Sequence, residues 1–264
     1  MSQPMIGTRI IQLTDTHLFG SRDGRLMGAD TNQSFLAVWE RIQSSSFNPK
    51  AILVTGDLTQ DDSLESYQLL KDLLDTSNTP YLWTCGNHDD ARLMRQVNPA
   101  AMAAHLDLGN WQIIMLNSQI PGQIPGFLAS KELQFLEQYL TDNPDKHTLV
   151  AFHHPAYSIE SQWLDNISLK NASQFIELIQ SYPNTRVVLN GHIHQEKDQF
   201  IQNVRFLSTP STCVQFKPKC DDFMLDDRWP GYRELELMPD GTVNTRVVRL
   251  EGYALELDLA ANGY

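Results

Sequence analysis

The 264-residue chain is poor in cysteine, in basic residues and in long apolar runs. Its three cysteines, Cys85, Cys213 and Cys220, are odd in number and sparse. That count argues against a disulfide scaffold and fits a reducing compartment. Lysine and arginine total 20 against 32 aspartates and glutamates, a formal net charge of −12. A DNA- or RNA-binding surface needs clustered positive charge, so no nucleic-acid partner is expected. Small anions remain open as ligands, because a bound metal ion can reverse the local field. No run approaches the roughly 18 apolar residues of a membrane-spanning helix, so no membrane partner is expected either. The opening "MSQPMIGTRIIQLTD" has neither the basic start nor the apolar stretch of a secretory leader. Together these absences predict a cytoplasmic protein. No long linker, internal repeat or low-complexity segment divides the chain, and 41% hydrophobic residues suffice for a substantial core.

What is present is alternation. Apolar runs at 9–14, 51–56, 80–85, 111–117, 147–153 and 186–191 read as strands. Between them, 31–45 carries Phe35, Val38, Trp39 and Ile42 at helical spacing. Residues 63–75 carry Tyr67, Leu70 and Leu74 behind Ser63 as N-cap, and 130–140 and 171–181 look similar. The helix stripes read as core. Strand–helix alternation predicts an α/β fold with a largely parallel sheet. After residue 195 the helices stop. "QFIQNVRFLS", "TCVQF", "YRELELM" and "TVNTRVVRL" read as strands, with "PDG" (239–241) as a hairpin turn. The acidic stretch 220–231 reads as a surface loop. The expectation is one domain over 1–264: a ligand-bearing α/β part, 1–195, and an antiparallel β-rich part, 196–264, completing the second sheet. That antiparallel region offers an edge for a homodimer.

Five strands end in ligand-type residues. They give Asp15 and His17, then Asp57, then Asn87 and His88, then His153 and His154, then His192 and His194. Each alone has a plain explanation: a helix cap for Asp57, a turn residue for Asn87, a hydrogen-bonded histidine for the rest. In open α/β sheets, however, the carboxyl ends of the strands converge on the ligand site. Gathered there, two or three buried carboxylates and up to six imidazoles would be costly without a cation. Nitrogen and oxygen donors without thiolate suit Zn, Fe, Mn or Co better than Cu(I), Mg or Ca. The donors are too many for one tetrahedral ion and suffice for two ions sharing a carboxylate, about 3.5–4 Å apart. In extended backbone His192 and His194 would point to the same side, giving one imidazole to each ion.

The motifs D-x-H (Asp15, His17), GD (Gly56, Asp57), GNHD (Gly86 to Asp89), HHP (His153 to Pro155) and GHIH (Gly191 to His194) occur in the order seen in the calcineurin-like metallophosphoesterases, and the chain resembles that superfamily over about its first 210 residues. "LTDTHLF", "HTL", "GHIHQE" and "STCVQFKP" are similar to the bacterial class III cyclic-AMP phosphodiesterases within it. The resemblance implies a four-layer α/β/β/α sandwich, two mixed β-sheets flanked by helices. It implies that Asp15, His17 and His194 hold a first metal, that Asp57 bridges, and that Asn87, His153 and His192 complete a second. Spacing does not choose between His153 and His154; the superfamily's H-x-P pattern favours His153. His88 would be the catalytic non-ligand, and His17, Asp57, Asn87, His88 and His194 would contact substrate. Asp89 or Asp61 would orient His88.

The implied cofactors are two divalent or trivalent ions per chain, Fe and Mn foremost, with Zn and Co also compatible. A hydroxide bridging them would attack phosphorus in line, and His88 would protonate the departing ribose 3′-oxygen or hydrogen-bond the phosphate, releasing 5′-AMP. The alternatives are a broader phosphodiesterase or phosphomonoesterase, acting on 2′,3′-cyclic nucleotides or glycerophosphodiesters, and a non-catalytic binding module on the same fold. The stretch 208–218 would line the base or ribose pocket. Cys213 reads as a small buried hydrophobe, Cys220 as a loop thiol and Lys217 as a solvated lysine.

Overall fold

A computed structural model describes residues 7–261 and 263; residues 1–6, where the leader was sought, and residues 262 and 264, the rest of the expected domain span, lie outside the described residues. Thirteen strands and six helices follow one another as β1 (Thr8–Leu13), α1 (Thr31–Gln43), β2 (Ala51–Thr55), α2 (Leu64–Asp75), β3 (Tyr81–Thr84), α3 (Ala91–Val97), β4 (His105–Asp107), β5 (Trp111–Met115), α4 (Ser130–Asp142), β6 (His147–Ala151), α5 (Gln162–Asn166), α6 (Ala172–Gln180), β7 (Thr185–Asn190), β8 (Lys197–Ile201), β9 (Val204–Ser208), β10 (Gln215–Phe216), β11 (Leu225–Asp226), β12 (Gly231–Leu237) and β13 (Val243–Arg249) among the described residues.

The strands make two mixed sheets, ordered β13-β12-β1-β2-β3 and β4-β5-β6-β7-β9-β8. Side chains alternate across them. Ile10 and Leu53 point between the sheets, where they meet Trp111, Leu149 and Leu189. Ile11, Ile52 and Val54 point outward, against Phe35, Val38 and Trp39 of α1 and Tyr67 and Leu70 of α2. On the other side Val150 and Val188 face Leu136 of α4 and Phe175 of α6. Strands buried on both faces need continuous apolar runs rather than alternating ones, which is why these six were legible. The result is the four-layer α/β/β/α arrangement. Ser63 caps α2 by accepting from Ser66 N.

The C-terminal part departs from expectation. β8 and β9 extend the second sheet, but β9 runs parallel to β7. β12 and β13 instead extend the first sheet, with β12 antiparallel to β1. β12 lies on the side of β1 away from β2, and it fits there because Leu235 and Leu237 alternate into the inter-sheet core while Tyr232 turns outward. "QFIQNVRFLS" is a hairpin rather than one strand, turning at Gln202, φ 53°, and Asn203. Of "TCVQF" only two residues are strand, and they pair with β11 inside the acidic stretch read as plain loop. No helix among the described residues is long and apolar enough to cross a membrane. Cys85, Cys213 and Cys220 are free thiols.

Candidate metal centre

The parallel strands β1, β2, β3, β6 and β7 all stop at one end of the sandwich, and the loops that follow them are laced together. Asp15 N donates to Gly56 O (3.0 Å), His17 N to Asp57 O (3.0 Å) and Gly191 N to His153 O (3.0 Å). Asp15, His17, Asp57, His192 and His194 all have positive φ, between 45° and 70°. Such backbone is uncommon for residues other than glycine, though Asp and His tolerate it best. It is held here by the surrounding bonds, as functional sites often require. His192 and His194 are therefore not extended, contrary to expectation. Left-handed backbone at both residues sends their rings to different donor groups.

Two glycines make the crowding feasible. A Cβ on Gly86 would stand 2.1 Å from Asp57 Oδ1, and one on Gly191 would stand 2.0 Å from Thr14 Oγ1. Gly86→Ala must push the Asp57 carboxylate aside. The variant is expected to lose metal and at least about tenfold in turnover, as outer-shell changes do. Elemental analysis beside a rate assay checks this; full metal content with wild-type rate would contradict it.

The donor atoms meet in four overlapping groups, each with its atoms within 4.8 Å of one another: Asp15, His17 and His194; Asp15, Asp57 and His153; His17, Asp57 and His88; and His153, His154 and His192. His17 Nε2 lies 3.2 Å from His194 Nε2, and His192 Nδ1 lies 3.2 Å from His153 Nε2. Asp57 Oδ2 is 3.2 Å from His153 Nε2 and 3.8 Å from His17 Nε2. Asn87 Oδ1 is 3.3 Å from His153 Nε2, and Asp15 Oδ1 is 3.4 Å from His194 Nε2. The structure thus brings together all seven residues that sequence reasoning singled out as ligands. Asn87 and His88 are half-buried at the mouth, and the other six are fully enclosed.

Each of four rings is fixed from behind. His17 Nδ1 donates to Gln60 Oε1 (2.8 Å), His153 Nδ1 to Thr55 O (2.8 Å), His194 Nδ1 to Val214 O (2.8 Å) and His192 Nε2 to Ile167 O (3.1 Å). The other nitrogen of each ring then faces the interior, the usual outer-shell arrangement behind a metal ligand. His154 differs. Its Nδ1 accepts from Ser118 Oγ and its Nε2 donates to Ile124 O, both at 2.8 Å, so both nitrogens are already occupied by protein groups. Its ring nevertheless joins His153 and His192 in one of the four donor groups.

Electrostatics asks for positive charge here. Burial would raise Asp57, but His153 and His88 hold its carboxyl well below the usual range. Burial likewise opposes ionisation of Asp15, and His194 and His153 outweigh it, so its pKa is lowered. Burial works against a charged His153, yet Asp57 and Asp15 lift its pKa to about 9. Burial takes His17 down to about 3 and His192 well below its ordinary value, so both are neutral imidazoles suited to ligation. Lone pairs and carboxylates converging at 3.2–3.4 Å are what a pair of cations would relieve. The donor set fits two ions.

The residues expected to orient His88 are engaged elsewhere. Asp89 accepts from Gly86 N (2.8 Å), Leu58 N (3.0 Å) and Tyr67 Oη (3.1 Å), tying the Asp57 and Asn87 loops together. Burial and the Asp57 charge push Asp89 up to about 7. Asp61 accepts from Gly20 N and Ser63 Oγ. Burial and Asp90 raise the Asp62 pKa, and His88 partly offsets them, as it helps to lower Asp57. The stretch 208–218 is buried over 208–216 and braces the donor cluster. Ser211 Oγ donates to Asp15 O (2.7 Å), and Phe216 stacks on His194 at 4.1 Å. Cys213 is buried, which pushes its thiol up to about 12, in keeping with its reading as a small hydrophobe.

The model of the calcineurin-like phosphoesterase family matches residues 8–196. The 3′,5′-cyclic adenosine monophosphate phosphodiesterase CpdA of Pseudomonas aeruginosa is 39% identical, covering 97% of this chain and 94% of its own. A 3′,5′-cyclic-nucleotide phosphodiesterase of Nostoc is 37% identical, covering 94% of each chain. Among solved structures, a dimetal phosphatase from Danio rerio superposes with a TM-score of 0.65 at 13% identity, over 92% of this chain and 99% of that one, a likeness of fold. On the family match and on relatives alike over nearly the full length, the chain belongs to the calcineurin-like phosphoesterase family.

Proposed function

We propose that this protein hydrolyses 3′,5′-cyclic AMP to 5′-AMP and so lowers the cellular level of that nucleotide. The observation that carries the reading is the seven-residue donor cluster, in which the two buried carboxylates each join more than one donor group, combined with likeness to cyclic-nucleotide phosphodiesterases along nearly the whole chain. Asp15, His17 and His194 would hold one ion, Asn87, His153 and His192 the other, and Asp57 both. Bound there, the two ions would supply hydroxide near neutral pH and offset charge on the phosphate. Fe or Mn suits these donors best, with Zn and Co also compatible.

The chain's own groups do the rest. Bonds from Gln60, Thr55, Val214 and Ile167 hold the four ligand rings in register before substrate arrives. Asp15, stabilised as the anion by the His192 backbone N–H shared between its two oxygens (3.0 and 3.1 Å), keeps its charge. His88 stands half-buried at the mouth beside the His17 ring, 5.2 Å between centroids. From there it donates a hydrogen bond to a phosphate oxygen or a proton to the departing ribose 3′-oxygen, a poor leaving group unless protonated. His17, Asp57, Asn87 and His194 line the floor on which the phosphate sits. The single-domain reading is supported by β12, which completes the sheet that carries Asp15 and Asp57. Three free thiols support a cytoplasmic location, and β13, at the end of its sheet, supports a homodimer.

The test is a substrate panel on metal-loaded protein: 3′,5′-cyclic AMP, 2′,3′-cyclic AMP and an aryl phosphodiester, with metal analysis of the same sample. The first should be turned over best. Chelation should abolish activity, and Mn or Fe should restore it best. Preference for 2′,3′-cyclic AMP, or activity that survives removal of both ions, would overturn the reading.

A further inference from the structure

An aromatic stack runs from the metal cluster toward the surface, and none of the cluster's own hydrogen bonds needs it. Phe216 lies face to face with the His194 ring, 4.1 Å between centroids and 13° between planes. Trp163 of α5 meets Phe216 edge-on at 5.1 Å. Phe223 closes the triangle, 5.3 Å from Trp163 and 5.5 Å from Phe216. Phe216 is buried, Trp163 and Phe223 are half-buried, and Met224 beyond them is exposed.

The outer two rings sit on segments that also hold the metal ligands. α5 leads into Ile167, whose carbonyl accepts from His192. Phe223 lies between β10 and β11, and β10 begins right after Val214, whose carbonyl accepts from His194. The two segments are joined by Trp163 N donating to Asp221 O (3.1 Å) and by Ser161 Oγ bonding Cys220 O. Trp163 therefore stands next to the neighbours of both His192 and His194. Its indole Nε1 is buried and makes no hydrogen bond. An indole without that anchor can tilt to meet a ligand.

A cyclic nucleotide has two parts to recognise, a phosphodiester and, one sugar away, a flat base. The donor cluster takes the first and offers nothing flat and apolar for the second. We propose that Trp163 and Phe223 form the wall on which the purine stacks, so that they, rather than the metal ligands, favour a nucleotide over other phosphodiesters. This rests on the cyclic-nucleotide reading above and names its specificity residues. Stacking on an aromatic side chain is sequence-tolerant and strong enough to shift affinity about tenfold or more per base.

The test uses the full-length, metal-loaded protein and Trp163→Ala, Trp163→Phe and Phe223→Ala variants. Metal content and thermal midpoint are the folding controls. Binding of 5′-AMP is compared with that of ribose 5-phosphate by calorimetry, and turnover of 3′,5′-cyclic AMP with that of a base-free ribose 3′,5′-cyclic phosphate. The wild type should prefer each nucleotide over its base-free partner. Trp163→Ala should lose about tenfold or more in 5′-AMP affinity and raise KM for cyclic AMP alike, with kcat, metal content and both base-free values little changed. Trp163→Phe should recover most of the loss. Equal losses with and without the base, or no loss in either, would overturn the wall. If the wild type fails to hydrolyse cyclic AMP, the catalytic reading fails, and the 5′-AMP binding comparison still decides the wall.

Discussion

Asp57→Ala is expected to leave less than one metal ion per chain and to lower kcat/KM by at least about 10³-fold, since both charge neutralisation and nucleophile supply depend on the ions. Asp57 Oδ2 is 3.2 Å from His153 Nε2 and 3.8 Å from His17 Nε2, rings that belong to different halves of the cluster. Its Oδ1 accepts from His88 N at 2.9 Å, so the carboxylate also fastens the Asn87 loop. Alanine removes an anion that reaches rings of both halves and leaves the His17 and His153 nitrogens with less charge to balance a cation. Asp57→Asn keeps the shape and removes the charge; it should retain more fold stability than alanine and little more metal. Because ions that bind only the folded chain stabilise it, the wild type should lose thermal midpoint on chelation while Asp57→Ala should not. Elemental analysis with a melting curve reads both. Two ions and normal turnover in Asp57→Ala would refute the shared ligand.

His88→Ala is expected to give the opposite pattern: metal near two per chain and kcat down by roughly 10²- to 10⁴-fold, the range for a lost general acid. His88 offers Asp57 its backbone N–H, which alanine keeps. The ring is half-buried at the mouth, while the six enclosed donors lie beneath it. It is also close enough to His17 and Asp57 to form a metal-capable group, so the experiment discriminates between two roles. The leaving group sharpens the test. An aryl diester departs as a stable phenolate and needs no proton, so the variant should lose far less on it than on cyclic AMP. Loss of both ions in His88→Ala would make it a ligand; equal losses on both esters would remove it as proton donor.

How far the sequence could be read follows from what each feature needs. The six strands of the α/β part carry continuous apolar runs and four helices carry periodic apolar patterns, because each is buried against another layer. α3, β4 and α5 have seven, three and five residues, too few for a period to show. The hairpin at Gln202 and Asn203 contains neither glycine nor proline to mark it. β12 returned to the first sheet rather than the second because pairing partner, unlike strand character, is a long-range property. At the site, side chains were legible because Asp, Asn and His at strand ends are chemically distinctive. The groups that orient them were not: Thr55, Val214 and Ile167 act through carbonyls that every residue possesses. Gln60 gave only a faint signal, a polar residue soon after Asp57. The left-handed backbone of His192 and His194 was also hidden, since two histidines two apart suit an extended strand equally well in the abstract.

The most direct test of the account is anomalous diffraction from crystals of the protein reconstituted with manganese. Two peaks per chain are predicted, with the Asp57 carboxylate between them, Asp15, His17 and His194 around one, and Asn87, His153 and His192 around the other. A single peak, or a second peak held by side chains outside this set, would contradict it.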